Sequence, residues 1–197
     1  MRRLIPILFK VDMVQSMLDD RKLQTSRLNE RWGKVNPGDL LWVRENFCEC
    51  GQYSYMGSWN RSEDHRVVYK TEEQPQPFER FIWRNKPCIH LPKADCRMLL
   101  EVISVEKRKL QSITEQEAID EGIGEFPMDG KTYYINYMSR DICPIKSPIE
   151  SFQTLWDSIN AKKEGCSWND NPDVWMVKYK ILSKTLDETQ KLIKEMV

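Results

Sequence analysis

Apolar residues along this chain recur at two periods, and the two together lay out many short strands and a few helices. Residues 4–9 are almost continuously apolar and predict a first strand. Asp12 with Gln15 three positions on reads as a helix start, and Met13, Val14, Met17 and Leu18 follow at helical spacing. That helix should end near Asp19-Asp20, leaving residues 21–27 in a connection on its exit. Asn36-Pro37-Gly38-Asp39 is a turn signal, and Leu40-Leu41-Trp42-Val43 is apolar on both alternations, as in a strand buried on both faces. Residues 46–62 read as a loop excursion, 65–70 as a strand, 72–77 as a polar loop and 96–105 as a long strand.

The second half has clearer punctuation. Thr114-Glu115-Gln116-Glu117 is a capping box opening a helix over 114–121, with Gly122 at its C-terminal end. Residues 123–147, with Asp129-Gly130 and Tyr133, Tyr134 and Tyr137, predict an inserted hairpin or flap. Ser147-Pro148-Ile149-Glu150 begins a helix whose apolar stripe is Ile149, Phe152, Leu155, Trp156 and Ile159. Residues 173–182 alternate as a half-exposed strand, and a capped amphipathic helix over 185–197 closes the chain. Strands outnumber long helices, which predicts an α+β architecture built on a small, partly closed β-barrel with flanking helices and inserted loops.

Composition narrows the function classes. The chain has 197 residues, 40% of them hydrophobic, with seven Trp, enough to build a core and to exclude wholesale disorder. Thirty basic residues balance thirty acidic ones, which argues against coating a polyanion by bulk charge. The balance is a cancellation: residues 1–34 and 79–109 each carry +4, and residues 110–130 carry −6. No run of about 18 apolar residues exists, so no membrane partner is expected. The apolar stretch after Arg2-Arg3 is too short for a signal peptide, and six Cys are too few for a disulfide scaffold, so a cytoplasmic location is expected.

Dense polar chemistry is concentrated at Arg21-Lys22-Leu23-Gln24-Thr25-Ser26-Arg27, where cations and hydroxyls follow a helix exit. Cys48, Cys50, His65, Cys88 and His90 could supply zinc ligands, but a one-residue spacing is shorter than in zinc knuckles, so free thiols are expected and no metal is assigned. No phosphate loop, dinucleotide turn or nucleophile elbow is present, and no cofactor is expected. Trp42 and Trp156 lie in apolar periodic contexts and read as core; Trp83 and Tyr133 lie in polar surroundings, where base stacking is open to them.

Several segments resemble the ASCH domain, a PUA-like barrel. They are Pro6-Ile7-Leu8-Phe9, Met13-Val14, the residues from Arg21 to Arg27, and Gly38-Asp39-Leu40-Leu41-Trp42-Val43-Arg44-Glu45. Four later segments are similar to the branch common in phages and prophages: Lys86-Pro87-Cys88-Ile89-His90-Leu91-Pro92, Ala118-Ile119-Asp120-Glu121-Gly122-Ile123, Leu155-Trp156-Asp157-Ser158-Ile159-Asn160, and Asn171-Pro172-Asp173-Val174-Trp175. The resemblance implies one PUA-like domain over 1–182 with insertions near 46–95 and 123–148, followed by a helix at 183–197. Lys22, Thr25 and Arg27 match the family signature Gly-x-Lys-x-x-(Glu or Thr)-x-Arg, with Asp20 in place of the Gly.

The resemblance implies binding of RNA, DNA or a modified nucleoside in an ASCH-type pocket, in a bacterial or phage-infected cell. Some small members of the family remove the acetyl group from N4-acetylcytidine, so amidohydrolase activity is the sharper expectation. Lys22 would then be the base, Thr25 the nucleophile and Glu121 the acid, with Arg21, Arg27, Trp83 and His90 binding substrate. A Lys can act as base only if burial or another cation lowers its pKa, whereas a close Glu acts in the opposite sense. The alternative is a non-catalytic phage accessory protein that binds a host protein or a small nucleotide.

Overall fold

The structure, a computed structural model, describes residues 2–53, 56, 58–61, 67–72, 82–139 and 144–196. In chain order its regular elements are β1 (Leu4–Leu8), α1 (Val11–Leu18), β2 (Gln24–Arg27), β3 (Leu40–Arg44), β4 (Phe47–Tyr53), β5 (Trp59–Arg61), β6 (Val67–Tyr69) and β7 (Ile82–Lys86). There follow β8 (Leu99–Lys109), α2 (Glu115–Asp120), β9 (Glu125–Met128), β10 (Lys131–Tyr134), α3 (Pro148–Asn160), β11 (Asp173–Ser183) and α4 (Leu186–Met196). The chain is a mixed α+β protein, and among the described residues no sheet closes into a barrel. Among the described residues no helix is long and apolar enough to cross a membrane.

The chain folds as two compact units, the first comprising Met1–Gln15, Leu40–Leu100 and Leu182–Val197, the second Ser16–Asp39 and Glu101–Ile181. In the first, β1 lies parallel to β3, with Leu4 opposite Leu40 and Leu8 opposite Arg44. The doubly apolar run 40–43 is buried throughout, as its pattern predicts. Leu40, Trp42, Cys96 and Leu99 make a core against which Ile193 of α4 packs, so the amphipathic face of that last helix is satisfied within the unit. Residues 46–62, expected as a loop, instead contain β4 and β5: β4 pairs antiparallel with β5, β6 and β7. The Cys, Gly and Tyr content of that stretch suggested a loop, but ladder bonds to three partner strands outweigh its weak intrinsic preference. His65 lies outside the described residues, as do parts of the strand expected at 65–70 and of the loop at 72–77.

In the second unit the strand order is β8-β11-β2, with β2 antiparallel to β11. Helices α2 and α3 share a core of Ile113, Ala118, Phe152 and Trp156 with Val174 and Met176 of β11. Both helix starts are as the sequence predicts: Thr114 and Glu117 form the reciprocal capping box, and Ser147 accepts from the Glu150 N–H ahead of Pro148. The expected hairpin is β9–β10, with Phe126 stacked on Tyr133 across the pair.

Candidate functional site

The segment expected as a connection after α1 is where the structure departs most from the pattern. Residues 24–27 form the strand β2 at the end of the β8-β11-β2 order, with Thr25 opposite Val177 and Arg27 opposite Trp175. Gln-Thr-Ser-Arg shows no apolar alternation because the groups this strand buries are themselves polar. The turn into it uses Asp20 at φ 57°, the left-handed conformation, at the position where the resemblance expects Gly. Asp enters that region more readily than most residues, so the turn forms without the glycine.

Lys22 and Glu121 meet. Their backbones form an antiparallel bridge, and Leu23 N–H donates to the Asp120 carbonyl at 2.8 Å. The Lys22 Nζ donates to the Glu121 carbonyl at 2.6 Å and to its Oε2 at 2.9 Å. Lys22 is 1% exposed and Glu121 5%, so this is a buried ion pair. The other carboxylate oxygen, Oε1, accepts from the Ser26 hydroxyl at 2.6 Å. Ser16 closes the back of the cluster: its carbonyl accepts from the N–H groups of Arg21 and Lys22, and its hydroxyl donates to the Gly122 carbonyl at 3.0 Å.

Gly122 has φ 81°, and a Cβ there would lie 2.7 Å from the Lys22 Cβ. The capped helix α2 thus ends on a left-handed glycine that lets the Lys22 strand approach. Thr25 is buried, and its Oγ1 accepts from the Arg27 Nε at 3.2 Å. Arg21, partly exposed, reaches the Ile123 carbonyl and pairs with Asp19 at 3.0 Å.

The electrostatics answer the tension in the Lys–Glu pairing. Burial lowers the Lys22 pKa from its ordinary 10.5, and nearby Arg27 acts in the same sense, so the net shift is downward despite the charge and hydrogen bond of Glu121. Burial also lowers the Arg27 pKa against the pull of Glu121. Tyr179, opposite Leu23 and bonded to its carbonyl through the backbone N–H at 3.0 Å, is held well above its ordinary value by burial and then by the charge of Glu121.

Of the seven residues singled out from sequence, Arg21, Lys22, Thr25, Arg27 and Glu121 belong to the second unit. Trp83 and His90 belong to the first: Trp83 is half-buried on β7 opposite Cys50, and His90 is exposed at the end of the turn Cys88–His90. Cys48 donates to the Asn85 Oδ1 at 3.1 Å, and among the described residues no three His, Cys, Asp or Glu side chains gather to hold a metal. Sequence reading passed over Ser16, Gln24, Ser26 and Tyr179. Gln24 and Ser26 lay inside the polar segment already marked; Ser16 and Tyr179 carried no local signal. Comparison with protein-family models, with curated proteins and with solved structures finds no match to this chain.

Proposed function

We propose that this chain recognises a nucleic acid or a modified nucleoside at the cluster formed by Lys22, Thr25, Arg27 and Glu121, as a PUA-like protein of the ASCH type acting in the cytoplasm. The observation that carries this reading is the fully buried Lys22 ammonium held on Glu121, with Thr25 and Arg27 on the adjoining strand. Apolar replacements of similar volume are often at least as stable as a buried ion pair, so stability by itself gives little reason for this one.

Hydrolysis of an N4-acyl cytidine is the sharper form of the proposal. The Thr25 hydroxyl would attack the acyl carbon while the Lys22 amine takes its proton, and Arg27 would stabilise the oxyanion. The step starts with the proton of the pair on the Glu121 carboxyl rather than on Lys22; Glu121 would donate it to the departing N4 amine, and water would then release the acyl group from Thr25. The lowered pKa of Lys22 favours the neutral amine this step requires.

The test incubates purified protein with N4-acetylcytidine and follows acetate release, beside Thr25→Val and Arg27→Ala. Turnover by the wild type that both variants lose is the expected result. No turnover removes the hydrolase form. RNA, DNA and nucleoside affinities that are all unchanged in Arg27→Ala remove the binding form as well.

A further inference from the structure

Gln24 stands between the two residues that hold Glu121. Lys22, Gln24 and Ser26 share one parity of the chain, and the first and last of them bond the two oxygens of the same carboxylate. Gln24 is 0% exposed, yet neither its Oε1 nor its Nε2 has a hydrogen-bond partner among the described residues. Buried amides are nearly always bonded, so an unpartnered carboxamide between the two residues that hold Glu121 calls for a reason.

A carboxamide offers one donor direction and one acceptor direction side by side. That pattern matches the hydrogen-bonding edge of a nucleobase, where an acceptor adjoins an N–H. Resting on the function proposed above, we propose that Gln24 reads the ligand: its amide pairs with the edge of the base. The amide is covered as the chain stands, so entry goes with side-chain movement. Arg21 and Arg27 are the long, partly exposed side chains of the cluster, and a long side chain can move with little disturbance to the backbone.

The test uses titration calorimetry on the full chain with the four ribonucleoside 5′-monophosphates and, as a probe without a base, ribose 5-phosphate. The wild type is expected to prefer at least one nucleotide over ribose 5-phosphate. Gln24→Met, which keeps the volume but removes the orphan atoms, is expected to reduce that preference by about tenfold or more. It is also expected to raise Tm by about 2–4 °C, because the unbonded amide no longer has to be buried. Gln24→Leu, which also removes both unpartnered atoms, should weaken the same preference, and it decides the matter if Gln24→Met does not fold.

A preference that stays within about twofold of wild type in the folded variants overturns the inference. So does a fall in Tm for Gln24→Met with the preference intact, which marks the amide as structural. Loss of affinity for every probe in Arg27→Ala, with the preference of Gln24→Met unchanged, removes base reading and leaves the proposed site standing. A wild type that binds none of the probes overturns both.

Discussion

The ammonium of Lys22 donates to both the carbonyl and the carboxylate of a single residue, Glu121, which lies 99 positions further along the chain. One end of this pair comes from the exit of α1 and the other from the C-terminal cap of α2. Two local turns, one at Asp20 and one at Gly122, therefore set the geometry of the cluster.

The charge of Lys22 should register in the pH dependence of stability. Its folded pKa is lowered, so between that value and the unfolded 10.5 the unfolded chain holds a proton that the folded chain has released. Stability due to this group therefore rises with pH across that window. Denaturant unfolding of wild type and Lys22→Met from neutral pH to about 10.5 should show the wild-type advantage widening. At neutral pH the variant, which leaves Glu121 buried without its cation, should lose about 3–5 kcal/mol. A pH-independent gap would count against the buried pair.

Gly122→Ala should be destabilising by about 2 kcal/mol or more, because it combines a left-handed backbone with a Cβ forced onto Lys22 and Ser16. Gly130→Ala, which has φ 71° but no atom within 4 Å of the added Cβ, isolates the backbone part. Thermal unfolding of the two variants side by side measures the difference, and equal losses would show that the close approach to Lys22 has no energetic weight.

Glu117 gives an acid signature within the second unit. Burial alone would raise its pKa, but hydrogen bonds from Arg108, from the Thr114 N–H and from Lys178 outweigh it and bring the value down to about 2. The stabilisation is present above the unfolded value of 4.5 and is lost as pH falls towards about 2. After discounting for solvent screening it amounts to roughly 1–2 kcal/mol. Glu117→Gln should be less stable than wild type by that amount at pH 7, with the gap closing as pH drops through 4 to about 2 in an acid titration followed by circular dichroism.

In the first unit, Arg97 grips Glu45 with two parallel bonds of 2.9 Å, reaches Glu72 at 2.6 Å, and lies 4.1 Å from the centre of the Tyr69 ring. Glu45 is 2% exposed, and its pKa is raised by burial, which exceeds the opposing pull of Arg97. Arg97→Met should therefore destabilise the protein by about 3–5 kcal/mol by leaving the Glu45 carboxylate buried alone. Adding Glu45→Leu should recover much of that loss. Chemical denaturation of the single and double variants would show it, and a double variant no better than the single would mean that the network acts through packing.

The legible parts of this chain were those whose signal is local. Thr114 with Glu117 and Ser147 with Pro148 announce their helices because each motif satisfies backbone donors a few residues away. Leu40 to Val43 announces a strand because both of its faces are apolar. The segment 24–27, expected as a connection, and β4, expected within a loop, carry no local strand signal because the partners that order them, β11 for the one and β6 and β7 for the other, lie outside their own segments.

The same division applies to the cluster. Sequence alone determined which residues could do chemistry at positions 21–27 and that a carboxylate ends the helix after Thr114. It also determined that zero net charge is the cancellation of oppositely charged segments. Only the tertiary structure decided that Lys22 is buried on Glu121, that Ser26 takes the other oxygen, and that the Gln24 amide is covered with no partner among the described residues. The reason is physical: burial and long-range pairing depend on where the backbone crosses itself, and these crossings join residues 22 and 121, and 23 and 179, with no periodic signal between them.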